Sequence, residues 1–173
     1  PGRAPGWGVT AQGPTVGSGF TVRLARDDEL EAAGEVVAAA YRPMPGMEEE
    51  PEYLEEVRDT RGRAADVDLL VAVDADGAVI GCASFVRDHT SRLAELERPD
   101  ESGIRMVGVM EAARCRGVAR ALVEACAERA RASGKRGIAI LTEPRWTVSH
   151  AVYERLGFRR APDRDWEPEP GFW

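Results

Sequence analysis

Ile104-Arg-Met-Val-Gly-Val-Met-Glu-Ala-Ala-Arg-Cys-Arg-Gly-Val-Ala-Arg-Ala-Leu122 is the stretch whose reading decides the fold. Ile104 to Met110 is an apolar run of strand length. It gives way to a short polar loop, and Gly117 to Ala132 has the spacing of a helix, with Val118, Ala121, Leu122 and Ala125 on one face. Gly134 stands where a helix C-terminal cap belongs. The first N–H groups of a helix have no partner within it and carry partial positive charge, so this strand-loop-helix can seat a pyrophosphate. Gly117 and Ala119 keep side chains out of the way, and Arg114 and Arg116 add positive charge to an otherwise acidic chain.

Working outward, Phe20-Thr-Val-Arg-Leu24 alternates as a strand does. Asp28 and Glu31 suit a capping box for a helix that puts Leu30, Ala33, Val37, Ala40 and Tyr41 on one face and ends before Pro43 and Pro45. Pro51 is a favourable first-turn residue for a second helix, whose apolar stripe is Tyr53, Leu54 and Val57. Leu69–Val73, the turn Asp76-Gly77 and Val79–Val86 read as a hairpin, followed by a charged loop over 87–100. Beyond the central stretch come a buried-type strand, Ile138–Leu141, and a last helix from Thr147 to Leu156 closed by Gly157. The order β-α-α-β-β-β-α-β-α predicts one mixed α/β domain over residues 20–173, preceded by a flexible Gly- and Pro-rich arm over 1–19.

Bulk properties narrow the function. The 173 residues suffice for one domain with a real core. A net charge of −7 argues against a nucleic-acid partner, which needs a basic face. No apolar run approaches the roughly 20 residues that cross a bilayer, so no membrane partner is expected. Cys82, Cys115 and Cys126 share no metal-like spacing and are odd in number, which favours a reducing cytoplasm. With His89 and His150 as the only histidines, a histidine-rich metal site is excluded and no metal is expected.

The loop Arg114-Cys-Arg-Gly-Val-Ala119 resembles the Arg/Gln-x-x-Gly-x-Gly/Ala signature of the Gcn5-related N-acetyltransferase (GNAT) superfamily. Val107-Gly-Val109 is similar to that family's fourth strand, and Ala151-Val-Tyr-Glu-Arg-Leu-Gly-Phe158 to its second motif, a helical tyrosine ahead of a Gly-Phe pair. The strand between them and the element order from Phe20 also agree, so the resemblance covers about residues 20–160.

It implies a central mixed, largely antiparallel sheet flanked by helices, with the fourth and fifth strands splayed apart. It also implies an enzyme that moves an acetyl group from acetyl-CoA to a primary amine by direct attack in a ternary complex. The backbone of Val107 and Val109 would take the pantetheine arm as an added strand, and the Val109 N–H would polarise the thioester carbonyl. The N–H groups of Arg114, Cys115, Arg116, Gly117, Val118 and Ala119 would cradle the pyrophosphate. Tyr153 would act as general acid toward the departing thiolate. Family habit implies a homodimer and a small-molecule or peptide amine acceptor.

Three departures qualify this. The family's strand glutamate, a general base, falls on Gly103; Glu101, another acidic residue such as Glu143, or an amine that arrives neutral are the alternatives. The asparagine seven residues before the tyrosine is Trp146, read as a pantetheine or acceptor contact or as a core or lid aromatic. After Phe158 the family closes with a hairpin, but here Pro162 to Pro170 leads only to Gly171-Phe-Trp173, so the last strand is expected to be incomplete. The missing glutamate leaves a non-catalytic acyl-CoA-binding or regulatory domain as a second reading, and another acyl group such as succinyl as a third.

Other candidates read more plainly. His150, on the Tyr153 face, reads as a solvated or capping group with tuning of the tyrosine or an acceptor contact as the alternative, His89 as a solvated group, Cys115 as a small filler, and the acidic run Glu48–Glu56 as a solvated face with attraction of a cationic amine as the alternative.

Overall fold

The computed structural model describes residues 15–17 and 19–165. Six strands form one sheet in chain order: β1 (Thr15–Gly17), β2 (Phe20–Leu24), β3 (Asp68–Asp74), β4 (Val79–Val86), β5 (Glu101–Val109) and β6 (Gly137–Ile140). Every neighbouring pair is antiparallel except β5–β6, which is parallel. The helices are α1 (Leu30–Tyr41), α2 (Pro51–Arg58), the single turn α3 (Thr60–Arg63), α4 (Val118–Ala132) and α5 (Thr147–Arg155).

The sheet is covered on both faces because its central strands are buried along most of their length. On β3, Leu70 and Ala72 face the layer of α4, with Phe20, Phe85 and Leu122. Leu69, Val71 and Val73 face the layer of α1, with Val37, Tyr41 and Val86. That two-residue alternation assigns each side chain to one of two cores. Gly108 lets α1 lie against the sheet, since a Cβ there would stand 2.6 Å from the Val37 Cα.

Most expected elements are present within a residue or two. The strand expected from Ile104 begins three residues earlier, at Glu101, where pairing with Gly137 starts. The capping box expected from Asp28 and Glu31 is formed instead by Glu29, whose carboxylate accepts the Arg26 N–H at 2.8 Å, because a 3-10 turn over Asp27–Glu29 precedes α1. Within the expected N-terminal arm, Thr15–Gly17 pair with Phe20–Val22 as β1, and residues 1–14 lie outside the described residues. After α5 the chain makes a 3-10 turn over Pro162–Arg164, and the stretch expected to begin a last strand, Gly171–Trp173, also lies outside them.

Candidate active site

The site begins where β5 and β6 part. Their parallel pairing runs from Glu101↔Gly137 to Ile104↔Ile140 and stops. Just beyond, on the β4 side, Ser84 pairs with Arg105 and Cys82 with Gly108, so Met106 and Val107 together oppose Ala83. This is a β-bulge, with Met106 in the left-handed region at φ 51°. A bulge adds local twist and bends its strand, and here it turns the second half of β5 away from β6. Met110 donates its N–H to Ile80 on β4, so the N–H of Val109, one residue back, points toward the gap. No described strand pairs with that edge.

The edge leads into the loop before α4. A 3-10 turn over Glu111–Ala113 is followed by Cys115 at φ 60° and Gly117 at φ 84°. Left-handed residues next to extended or right-handed ones curl successive N–H groups inward, the geometry of an anion-binding nest. A Cβ on Gly117 would meet no atom within 4 Å, so the space in front of it is open. Arg114 and Arg116 are exposed and form no ion pair among the described residues. Cys115 is exposed too; it bends the loop through its backbone instead of filling space, as the sequence reading had it doing.

Across the gap, α5 presents Tyr153. Its ring packs on the same apolar cluster as Val107 and Val109 and meets Phe158 edge-on at 5.9 Å. Its hydroxyl has no hydrogen-bond partner among the described residues, and burial pushes its pKa up to about 12. Tyr153 lines a cavity of about 610 Å³ that opens between β5 and β6 and continues to Tyr53 and Glu56 on α2. The structure therefore brings Tyr153 and the free β5 edge against one apolar cluster, with the nest following that edge in the chain. Val107 and Val109 border that gap through the shared cluster and do not line the cavity itself.

Trp146 is buried, donates its indole N–H to Pro45 at 3.2 Å and packs edge-on against Tyr41 at 5.5 Å, so it is a core aromatic on the cavity wall. His150 Nε2 bonds the Glu143 carbonyl at 2.8 Å, a local cap. His89 is exposed in its loop. Of the acidic run, Tyr53 and Glu56 reach the cavity and Leu54 packs on the α1 core.

Neither carboxylate suggested as a base is free. Glu101 accepts two hydrogen bonds from Arg164, at 2.9 and 2.8 Å, and one from the Arg98 N–H at 3.0 Å. Burial alone would raise its pKa, but these bonds outweigh it and hold the group below the usual range. Glu143 is bridged by Arg145 at 2.9 Å. Sequence reading missed Arg105 and Glu95, both on the cavity wall. Glu95 sits in a charged loop without periodicity, and Arg105 reads as an ordinary outward strand residue.

The model of the acetyltransferase (GNAT) family matches residues 33–158, more than half of the chain. The chain belongs to that family. Among solved structures, AAC(6')-Iy, an aminoglycoside N-acetyltransferase crystallised with the bisubstrate analogue CoA-S-monomethyl-acetylneamine, is similar at 23% identity and TM-score 0.62, over 87% of this chain and 97% of that one. A GNAT family acetyltransferase from Brucella melitensis in complex with acetyl-CoA is similar at 24% identity and TM-score 0.61, over 82% and 83%. One from Staphylococcus aureus aligns at 12% identity and TM-score 0.66, over 86% and 89%. At these identities the likeness is one of fold. A search of curated proteins gives no match. Among the described residues no group of side chains could hold a metal, and no helix is long and apolar enough to cross a membrane.

Proposed function

We propose that the GNAT chain transfers an acetyl group from acetyl-CoA to a primary amine by direct attack. The observation that carries this is the free edge of β5 beyond Ile104, running straight into the N–H nest at α4. An extended pantetheine arm satisfies such an edge as an added strand, through the backbone of Val107 and Val109. The N–H groups from Arg114 to Ala119 then take the pyrophosphate, with Arg114 and Arg116 supplying counter-charge. The Val109 N–H polarises the thioester carbonyl.

The amine enters by the cavity and attacks the carbonyl carbon. A C–N bond forms, the C–S bond breaks, and its electron pair goes to sulfur. Tyr153 stays protonated throughout the working pH range, since its pKa is about 12, so it has a proton to give along its hydrogen bond to the leaving sulfur. Acceptors of the small-amine, polyamine or peptide N-terminal kind all fit this chemistry, and the protein works in the cytoplasm, where acetyl-CoA is made available.

Gly103 favours a second reading, an acyl-CoA-binding domain without turnover, because glycine cannot take a proton. Calorimetry with acetyl-CoA and measurement of CoA release with neamine, spermidine and a free peptide N-terminus decide between them. Binding with turnover is expected; binding without turnover selects the second reading, and no binding sinks both.

A further inference from the structure

Gly103 is not simply a site that lost its carboxylate. A Cβ built there would run into Glu97, whose Cδ stands 2.9 Å away, so a carboxylate from the preceding loop already fills that space. The Glu97 side chain is 0% exposed, and both its oxygens are engaged. Oε1 lies 2.6 Å from an Arg105 guanidinium nitrogen in ionic contact. Oε2 accepts the N–H of Glu95 at 2.8 Å and of Leu96 at 3.2 Å. Glu97 therefore fixes the backbone from which Glu95 projects.

Glu95 differs from Glu97, Glu101 and Glu143. It lines the cavity and, among the described residues, accepts no hydrogen bond and has one ion pair, with the Arg105 Nε at 3.8 Å. Arg105 lies on β5 immediately before the bulge, so its ion pair holds Glu95 near the point where β5 parts from β6. We infer that Glu95 is the general base of this enzyme, delivered from the β4–β5 loop in place of a carboxylate on the strand. This rests on the acetyltransferase reading.

The step balances. An ammonium acceptor gives one proton to Glu95, which passes it to water, and the neutral amine then attacks. The second proton leaves the nitrogen to water as the C–S bond breaks, sulfur gains a proton from Tyr153, and water returns a proton to the Tyr153 phenolate. The charged and titratable groups facing Glu95 are Arg105 from β5, Glu97 from its own loop, and Glu56 and Tyr53 from α2. Burial raises its pKa, and the two glutamates add to this while Arg105 opposes it. That direction suits a base working near neutrality.

The test compares wild type, Glu95→Gln and Glu95→Asp with neamine, spermidine and a peptide N-terminus as acceptors. CoA release is measured from pH 6 to 10 and acetyl-CoA binding by calorimetry. The variant lies at the surface of a cavity, so folding is retained. Glu95→Gln is expected to lower kcat/KM at neutral pH by about 10²-fold or more, the usual contribution of a positioned base. It should leave acetyl-CoA affinity unchanged and regain rate as the amine deprotonates at high pH, with Glu95→Asp in between. An unchanged rate and pH profile in Glu95→Gln overturns the inference while the enzyme stands, and so does loss of acetyl-CoA binding in that variant. A wild type that binds acetyl-CoA but acetylates none of the three amines overturns the enzyme reading, and this inference with it.

Discussion

The two arms of the gap are built differently. β5 is buried along most of its length, flanked by β4 and covered by α1 and α4, and α4 buries Val118, Ala121, Leu122, Val123, Cys126 and Ala130. β6 is half-buried at all four positions, and α5 buries none of its residues. The arm that offers backbone N–H groups is thus fixed by two cores, while the arm that offers Tyr153 leans on one. Backbone groups can act only if the main chain is held in place. A side chain on a helix tolerates more give, because rotation about its own bonds can restore its aim. The chemistry proposed for each arm suits the rigidity available there.

The sharpest way to break that comparison is Tyr153→Phe. The hydroxyl bonds to no described residue, and the ring contact with Phe158 survives the change. We expect kcat to fall by about 10²–10³-fold, as for loss of a positioned acid, with the melting temperature unmoved. A loss of stability with the rate intact would show that α5 contributes packing and that the acid lies elsewhere.

Leu122→Ala comes next. Leu122 is 0% exposed in the α4 core, so truncation should cost about 2–5 kcal/mol in denaturant unfolding. The same change at half-buried Leu156, next to the C-terminal end of α5, should cost clearly less. Equal costs would mean that the two arms are equally well anchored.

The same difference explains what was legible in the sequence. The β5–α4 arm announces itself because burial imposes periodicity on it: Val118, Ala121, Leu122 and Ala125 can fall in a stripe only if a helix packs there. Gly117 was legible for a related reason, since its φ of 84° is one that few other residues tolerate. Tyr153 was legible only through its likeness to a family motif, for the α5 pattern is weak. The cavity wall was not legible at all. Glu95 and Glu97 lie in a loop with no repeating pattern, and their places are set by a buried contact with Arg105 that joins positions remote from any motif. What fills the space at Gly103 was not legible either, because sequence shows which side chain is missing and not which neighbour occupies the space. The bulge at Met106 was equally hidden, since the register that creates it depends on how β4 and β5 pair.

Arg164 joins the two arms, and its removal is expected to have the smallest effect. Its guanidinium, from the turn after α5, bonds both oxygens of Glu101 at the start of β5, with about a fifth of the side chain exposed. Partial exposure weakens such a pair, so Arg164→Ala should cost about 1 kcal/mol at neutral pH. The sign of the pH dependence follows from the depressed Glu101 pKa. A carboxylate stabilised in the folded state contributes fully above its unfolded pKa, about 4.3, and loses that contribution as the pH falls through its lower folded value. Unfolding curves of wild type and variant should therefore differ at pH 7 and converge in acid below the glutamate range. A gap that persists in acid would mean that Arg164 holds the arms together through its bond to the Leu96 carbonyl or the packing of its aliphatic stem, and not through its pair with Glu101.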